Sequence, residues 1–281
     1  VIHSYSFYTN FAAYCGGVLT QAIAVGALQS DFITEKRDSG ILLGRLSARW
    51  PKFHISNNFS AKENVAKSGG LFFPQNLIVV RNGLDLKKFQ KTNWPNFRLA
   101  KFLAVGSLLP IKRWDRLINA AANLKQNGHK FLLRIVGAGP LRSSLEKYSA
   151  ELGVDDSVEF LGYRKDIPNL LADSLFLAHT SDLEGCPNVV TEAMACGRPV
   201  IATNVGDIPF MIEHGKTGFV VKRNDQAQLV REMEVLIKDF DLCRKMGEAA
   251  REKAEKEFGL DRLLFETLEA YRSAGWNDNG G

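Results

Sequence analysis

Two carboxylates, Glu184 and Glu192, stand with seven residues between them and bracket the run Gly185-Cys186-Pro187-Asn188-Val189-Val190-Thr191. The run reads as a loop entering a helix. Pro187 suits a first helical turn, Asn188 is a residue type that caps backbone N–H groups, and a helix is expected over 189–196, stopped by Gly197 with Pro199 just beyond. A helix start gathers unpaired amides and the positive end of the helix dipole, so a diphosphate would bind beside Gly185 with no metal ion. An acid on the loop can accept hydrogen bonds from sugar hydroxyls, and one a turn inside the helix can reach a ribose. The chemistry to which these residue types point is the handling of a sugar joined to a phosphate. A plainer account fits the same residues: Glu192 favours the helix start electrostatically and Glu184 is a solvated loop charge.

Other turns carry residues suited to the same ligand. Gly106-Ser107 follows one apolar run and Lys112 lies in the next loop, where an ammonium can neutralise phosphate charge. Gly137-Ala138-Gly139-Pro140 follows another, and missing side chains let a ligand approach the backbone. Leu161-Gly162-Tyr163-Arg164 ends a third, with Arg164 placed to border a planar base or simply to face solvent.

The elements that must hold these turns follow from short apolar runs at 53–56, 78–80, 102–105, 131–136, 158–161, 175–178, 200–203 and 218–221, alternating with helical patterns such as 115–126 and 226–239. Continuous rather than alternating apolar strands imply doubly wound parallel sheets covered on both faces, with ligands at the strand carboxyl ends. The expected division is a first α/β domain over 1–84, a linker over 85–97, a second α/β domain over 98–258, a helix over 259–275 and a flexible tail over 276–281. The second domain has six strand patterns. The first has about four, opens on Val1-Ile2-His3 inside a strand, and is expected to be incomplete.

At 281 residues and 45% hydrophobic, the chain can bury two cores. Its four cysteines show neither paired nor zinc-like spacing, and its five histidines are scattered; no metal site is expected, and a reduced, cytoplasmic setting fits. Residues 11–28 are apolar but contain Gly16, Gly17, Thr20, Gln21 and Gly26, so they read as a helix and a buried strand. The net charge of +5 is uneven: residues 1–91 carry 11 Lys and Arg against 5 Asp and Glu, leaving −1 for the rest. That excess suits a solvated basic face, an anionic substrate, or peripheral contact with an anionic membrane, at the inner face if cytoplasmic. No motif supports nucleic acid as a partner.

Taken together, Val105-Gly106-Ser107 with Lys112, Val136-Gly137-Ala138-Gly139-Pro140-Leu141, Phe160-Leu161-Gly162, the run from Glu184 to Glu192 continuing Ala193-Met194-Ala195-Cys196-Gly197-Arg198-Pro199-Val200, and Gly215-Lys216-Thr217-Gly218-Phe219 resemble glycosyltransferase family 4. Val80-Arg81-Asn82-Gly83-Leu84-Asp85 through Phe89 resembles the segment by which that family leaves its first domain. The resemblance implies the GT-B fold of two Rossmann-like domains and metal-independent, retaining transfer of a hexosyl group from a nucleotide sugar to a saccharide or lipid-linked acceptor in envelope or exopolysaccharide synthesis, with no cofactor. By the same resemblance Glu184 contacts the donor sugar, Glu192 the ribose, Arg164 the base, and Lys112 with the amides of Gly185, Cys186, Pro187-Asn188 and Val189 the diphosphate. Relatives often carry arginine where this chain has Ser107, which removes a cation from the phosphate site. A sugar-nucleotide epimerase or phosphorylase on the same fold, and a noncatalytic fragment that keeps the donor site, are the alternatives.

Overall fold

The structure, a computed structural model, describes residues 1–68, 71–92, 94 and 99–277. The chain divides into two compact units, one comprising Val1–Gly83, Glu184–Cys186 and Leu260 onward, the other Leu84–Leu183 and Pro187–Gly259.

In the first unit β1 (Ile2–His3), α1 (Asn10–Thr20), β2 (Ala24–Leu28), α2 (Phe32–Asp38), α3 (Ile41–Arg49), β3 (Phe53–Ser56), α4 (Phe59–Ser68) and β4 (Asn76–Val79) succeed one another. Among the described residues the strands form one parallel sheet in the order β1-β2-β3-β4. Asn10, fully buried at the start of α1, ties that helix to β2: its amide donates to the Ala27 carbonyl at 2.9 Å and its Oδ1 accepts from the Ala27 N–H at 2.8 Å. Gly26 leaves room for the neighbouring strand's imidazole, since a Cβ there would lie 2.5 Å from His54 Cδ2. His54 Nε2–H donates to the Ser47 carbonyl at 3.0 Å, and burial lowers its pKa to about 4, so the ring is neutral.

The second unit runs β5 (Ala100–Val105), α5 (Trp114–Gln126), β6 (Phe131–Val136), α6 (Arg142–Glu151), β7 (Val158–Gly162), α7 (Ile167–Ala172), β8 (Phe176–His179), α8 (Asn188–Ala195), β9 (Val200–Thr203), α9 (Ile208–Met211), β10 (Gly218–Val221), α10 (Gln226–Lys238) and α11 (Phe240–Glu257). Its described strands are all parallel, in the order β10-β9-β8-β5-β6-β7. These are the continuous apolar runs, and side chains such as those of Phe102, Leu133, Phe176 and Ile201 share one core cluster in which Phe102 and Phe176 stack at 4.8 Å between ring centres. Helix α5 joins that core because Trp114, Leu117, Ile118, Ala121 and Leu124 repeat on one stripe. Helix α8 ends where Gly197 takes φ +70°: Gly197 N–H bonds the Met194 carbonyl and Arg198 N–H the Ala193 carbonyl, both at 2.9 Å, a Schellman stop.

The last helix, α12 (Leu260–Ser273), is counted with the first unit. On it Leu264 is exposed and Ala270 is buried. The described residues of the 85–97 linker are counted with the second unit, where Leu84 N–H bonds the Phe258 carbonyl at 2.7 Å. Residues 93 and 95–97 of the linker and 278–281 of the tail lie outside the described residues.

Candidate active site

The second sheet winds one way through β5, β6 and β7 and the other way through β8, β9 and β10, so its switch point lies between β5 and β8. Open α/β sheets bind ligands in the crevice beyond the strand ends at such a point. The turns there are laced together by the backbone. Gly106 N–H bonds the Val136 carbonyl at 2.9 Å, Gly137 N–H the Gly162 carbonyl at 2.8 Å, and Leu108 N–H the Ala138 carbonyl at 2.9 Å. Gly137 is required by both space and conformation: φ is +147°, and a Cβ would fall 1.8 Å from the Gly106 carbonyl oxygen. Lys112 folds back over the same turn, its Cε 3.7 Å and Cδ 3.8 Å from where a Gly106 side chain would start. Gly106, Gly137 and Lys112 therefore meet, with exposed Ser107 next in the chain.

The loop after β8 is fastened to the loop after β5. Asp182 N–H and Ser181 Oγ–H both bond the Ile111 carbonyl, at 2.9 and 3.1 Å, and Thr203 Oγ1–H bonds the Ser181 carbonyl at 2.5 Å. Arg116, buried in the first turn of α5, donates to the Thr180 carbonyl (2.6 Å), Asp182 Oδ1 (2.7 Å) and Asn224 Oδ1 (2.8 Å). Arg113 donates to Asp182 Oδ2 (2.8 Å) and to Asp115. Burial alone would push the Asp182 carboxyl up, but the hydrogen bonds and charges of Arg113 and Arg116 hold it below the usual carboxylate range. This four-way clamp was not foreseen from the sequence. Nothing local marks it, since Arg116 lies off the apolar stripe of α5 and its partners are distant in sequence.

At α8 the structure corrects the expected capping. Pro187, at ψ 114°, is still extended and occupies the N-cap, Asn188 is the first helical residue, and the helix covers Asn188–Ala195 rather than 189–196. Proline offers no polar side chain as an N-cap, so no N-cap side chain satisfies the first-turn amides, and Val190 N–H turns back to the Pro187 carbonyl at 3.1 Å. Glu192, half-buried on α8, has its carboxyl pushed up by desolvation and drawn partly back by the Lys88 charge. Arg164 is exposed, its fork held by Asp166 at 2.7 and 2.6 Å. Glu184, Gly185 and Cys186 are counted with the first unit, where a Cβ on Gly185 would lie 2.4 Å from the Gln29 carbonyl oxygen. The structure thus gathers Gly106, Ser107, Lys112 and Gly137 in one turn cluster of the second unit, with Val189 and Glu192 on α8 and Arg164 after β7.

Burial pushes the thiols of Cys196 and Cys243 up, to about 11 and about 12, so neither is a nucleophile at neutral pH. Among the described residues no group of three His, Cys, Asp or Glu side chains converges in a way that could hold a metal ion.

Residues 87–253 match the family of glycosyl transferases group 1. N-acetyl-alpha-D-glucosaminyl L-malate synthase of Bacillus anthracis is 34% identical over 166 residues, 58% of this chain and 43% of that protein. The GDP-mannose-dependent alpha-(1-6)-phosphatidylinositol monomannoside mannosyltransferase of Mycobacterium tuberculosis is 32% identical over 199 residues, 64% of this chain and 52% of that protein. The chain spans about half the length of such relatives. HepE of Anabaena, solved with UDP, superposes with a TM-score of 0.85 at 22% identity over 96% of this chain and 78% of HepE, which shows the GT-B fold. Since the family match covers more than half of the chain, the protein belongs to the glycosyl transferases group 1.

Proposed function

We propose that this glycosyltransferase moves a hexosyl group from a nucleotide diphosphate sugar to a saccharide or lipid-linked acceptor, retaining the anomeric configuration and using no metal ion. The observation that carries the reading is the turn cluster in which Lys112 lies over Gly106 while the backbone of Gly137 touches the same glycine. A diphosphate fits where side chains are missing and one ammonium remains. As the glycosidic bond breaks, negative charge grows on the leaving phosphate, and Lys112 with the first-turn amides of α8 stabilises it, each such donor contributing about 2–4 kcal/mol. Glu184 accepts from donor-sugar hydroxyls, Glu192 from the ribose, and the Arg164 guanidinium, held flat by Asp166, borders the base.

HepE was solved with UDP and the mannosyltransferase relative is named for GDP-mannose, which supports a nucleotide sugar and leaves the base to experiment. The phosphatidylinositol acceptor in that relative's name supports a cell-envelope role, and a cytoplasmic setting, peripheral on the membrane's inner face, belongs to the same reading. No described helix is long and apolar enough to cross a membrane.

Calorimetry with UDP-, GDP- and ADP-sugars tests the reading. Lys112→Ala is expected to weaken every diphosphate ligand, and Glu184→Ala to cut turnover or donor hydrolysis while sparing binding of the free nucleotide. Phosphate-dependent release of sugar phosphate would show a phosphorylase, isomerised donor without acceptor an epimerase, and binding without turnover a noncatalytic donor site. Absence of binding to all three donors sinks the proposal.

A further inference from the structure

The outward side of the α2–α3 hairpin in the first unit is unlike an ordinary solvated surface. Ile33, Ile41, Leu42 and Leu71 are 61%, 81%, 72% and 80% exposed. On α3, Gly44, Ser47 and Ala48 face inward, with Gly44 so close to α2 that a Cβ would meet the Lys36 carbonyl oxygen at 2.0 Å. Ile41, Leu42, Arg45 and Arg49 fall within about a 100° stripe that flanks this inward side, with Ile41 bordering Ala48. Exposed aliphatic side chains therefore sit beside guanidinium groups, of which Arg45 lies over the Phe72 ring and Arg49 over the Trp50 ring.

The cations beside this stripe are concentrated. Lys36 Nζ donates to the Phe72 carbonyl at 2.6 Å and the Arg45 guanidinium lies 5.6 Å from the Phe72 ring, so Lys36, Arg45 and the Leu71-Phe72 segment form one patch. Among the described residues neither Lys36, Arg45 nor Arg49 has a carboxylate ion partner. Asp38 is taken by Arg37 at 3.0 Å, and Glu35 Oε1 accepts from the Gln29 N–H at 3.1 Å. Desolvation first, and then the nearby Arg45 charge, lower the Lys36 pKa, as expected where like charges crowd with no anion to separate them.

We propose that this face, Ile33, Ile41, Leu42 and Leu71 with Lys36, Arg45 and Arg49, seats the chain on an anionic lipid bilayer. Aliphatic side chains at the centre enter the headgroup boundary, and the long basic side chains reach lipid phosphates beside them. A protein partner or second copy would leave the crowded cations to be matched by carboxylates, whereas a bilayer offers phosphate at any lateral position. The inference deepens the peripheral part of the proposed function, but it uses no residue of the donor site.

The test is flotation of the chain with vesicles of phosphatidylglycerol and phosphatidylcholine, against vesicles of phosphatidylcholine alone, at low and high salt. Binding is expected to the anionic vesicles only and to fall as salt rises. A contribution of about fivefold per cation near such a surface makes the charge reversal Arg45→Glu cost on the order of 25-fold in partitioning. The double variant Ile41→Ser with Leu42→Ser is expected to lose about tenfold or more through its apolar face. Both sets of positions are exposed, so circular dichroism of the variants should match the parent. UDP-sugar binding should not change in either. Equal binding to neutral vesicles, unchanged partitioning of both variants, or a concentration-dependent dimer that the double variant dissolves would overturn the proposal. Lost UDP-sugar binding in the parent chain would refute the transferase reading and leave vesicle binding standing.

Discussion

Removal of Arg116 is a direct test of the clamp beneath the proposed donor site. Arg116 is 5% exposed and holds three acceptors at 2.6, 2.7 and 2.8 Å on two different loops. Arg116→Ala strands the Thr180 carbonyl and half-frees Asp182, which keeps Arg113. A hydrogen bond to a charged group contributes about 1.5–3 kcal/mol, and breaking a buried pair costs about 3–5 kcal/mol. Because the Asp182 side chain is 26% exposed and still paired, the lower figure applies, about 3 kcal/mol. For a unit of this size that corresponds to a fall in Tm of about 6–12 °C by scanning calorimetry. Arg116→Lys keeps the charge but cannot span three acceptors with one ammonium, and should fall between the two. The Asp182 carboxyl is held below its ordinary value of 3.8, so the clamp's contribution is present above that value and fades as pH falls further. The gap between parent and variant should therefore narrow in strong acid. A change of under about 1 °C at neutral pH, comparable to breaking an exposed pair such as Lys147–Glu151, would show that the clamp is ornamental.

Glu35 should make the first unit more stable as pH falls from 8 to 5. Burial pushes its pKa from 4.5 up to about 7, and its Oε2 is buried with no hydrogen-bond partner among the described residues. The charged form is thus penalised in the folded chain above about pH 7, the penalty disappearing below the ordinary value; its ceiling is about 3 kcal/mol. Glu35→Gln should accordingly raise Tm at pH 8 and leave it unchanged at pH 4, and a gain that is equal at both would refute the assignment. Gly137→Ala should cost about 3 kcal/mol or more and abolish donor binding, because the new methyl meets the Gly106 carbonyl; an unaltered thermal transition would contradict the packing of that turn. Turnover is expected to survive EDTA, and a loss that magnesium or manganese restores would remove Lys112 and the α8 amides from the central electrostatic role.

The parallel sheets were legible because strands buried on both faces are continuously rather than alternately apolar, as in Phe131–Val136, interrupted by Arg134 alone, and Val200–Thr203, which ends on a threonine. The end of α8 was legible for a similarly local reason, a glycine able to take positive φ before Arg198 and Pro199. Its start was misread by one position. Proline's fixed φ suits both an N-cap and a first helical residue, and only ψ, which tertiary context sets, separates them. The Arg116 clamp was illegible because its partners lie 64, 66 and 108 residues away. The same holds for Arg198, which sits in an apolar run yet is fully buried: it feeds the carbonyls of Leu171 and Ala172 at the end of α7 and covers the Trp94 ring at 4.2 Å. An arginine in such a place is tolerated because its fork is filled by the nearby carbonyls of Cys196 and Gly197 together with the distant ones of Leu171 and Ala172, and no short-range pattern records the latter.

Arg113 shows how the clamp and the proposed donor site constrain one another. Its backbone adopts a left-handed conformation, φ 52° and ψ 48°, which costs a residue with a Cβ about 1–2 kcal/mol. The bonds of its guanidinium to Asp115 and Asp182 offset that cost and fix the turn that carries Lys112 immediately before it. The same bonds commit the guanidinium to two carboxylates, so it cannot replace the arginine that the family resemblance would put at Ser107 in the proposed phosphate turn. Donor diphosphate should then depend on Lys112 more steeply than in a site with two cations. If Arg113→Ala strengthened donor binding instead of loosening the Lys112 turn, the clamp would be competing with the site rather than supporting it.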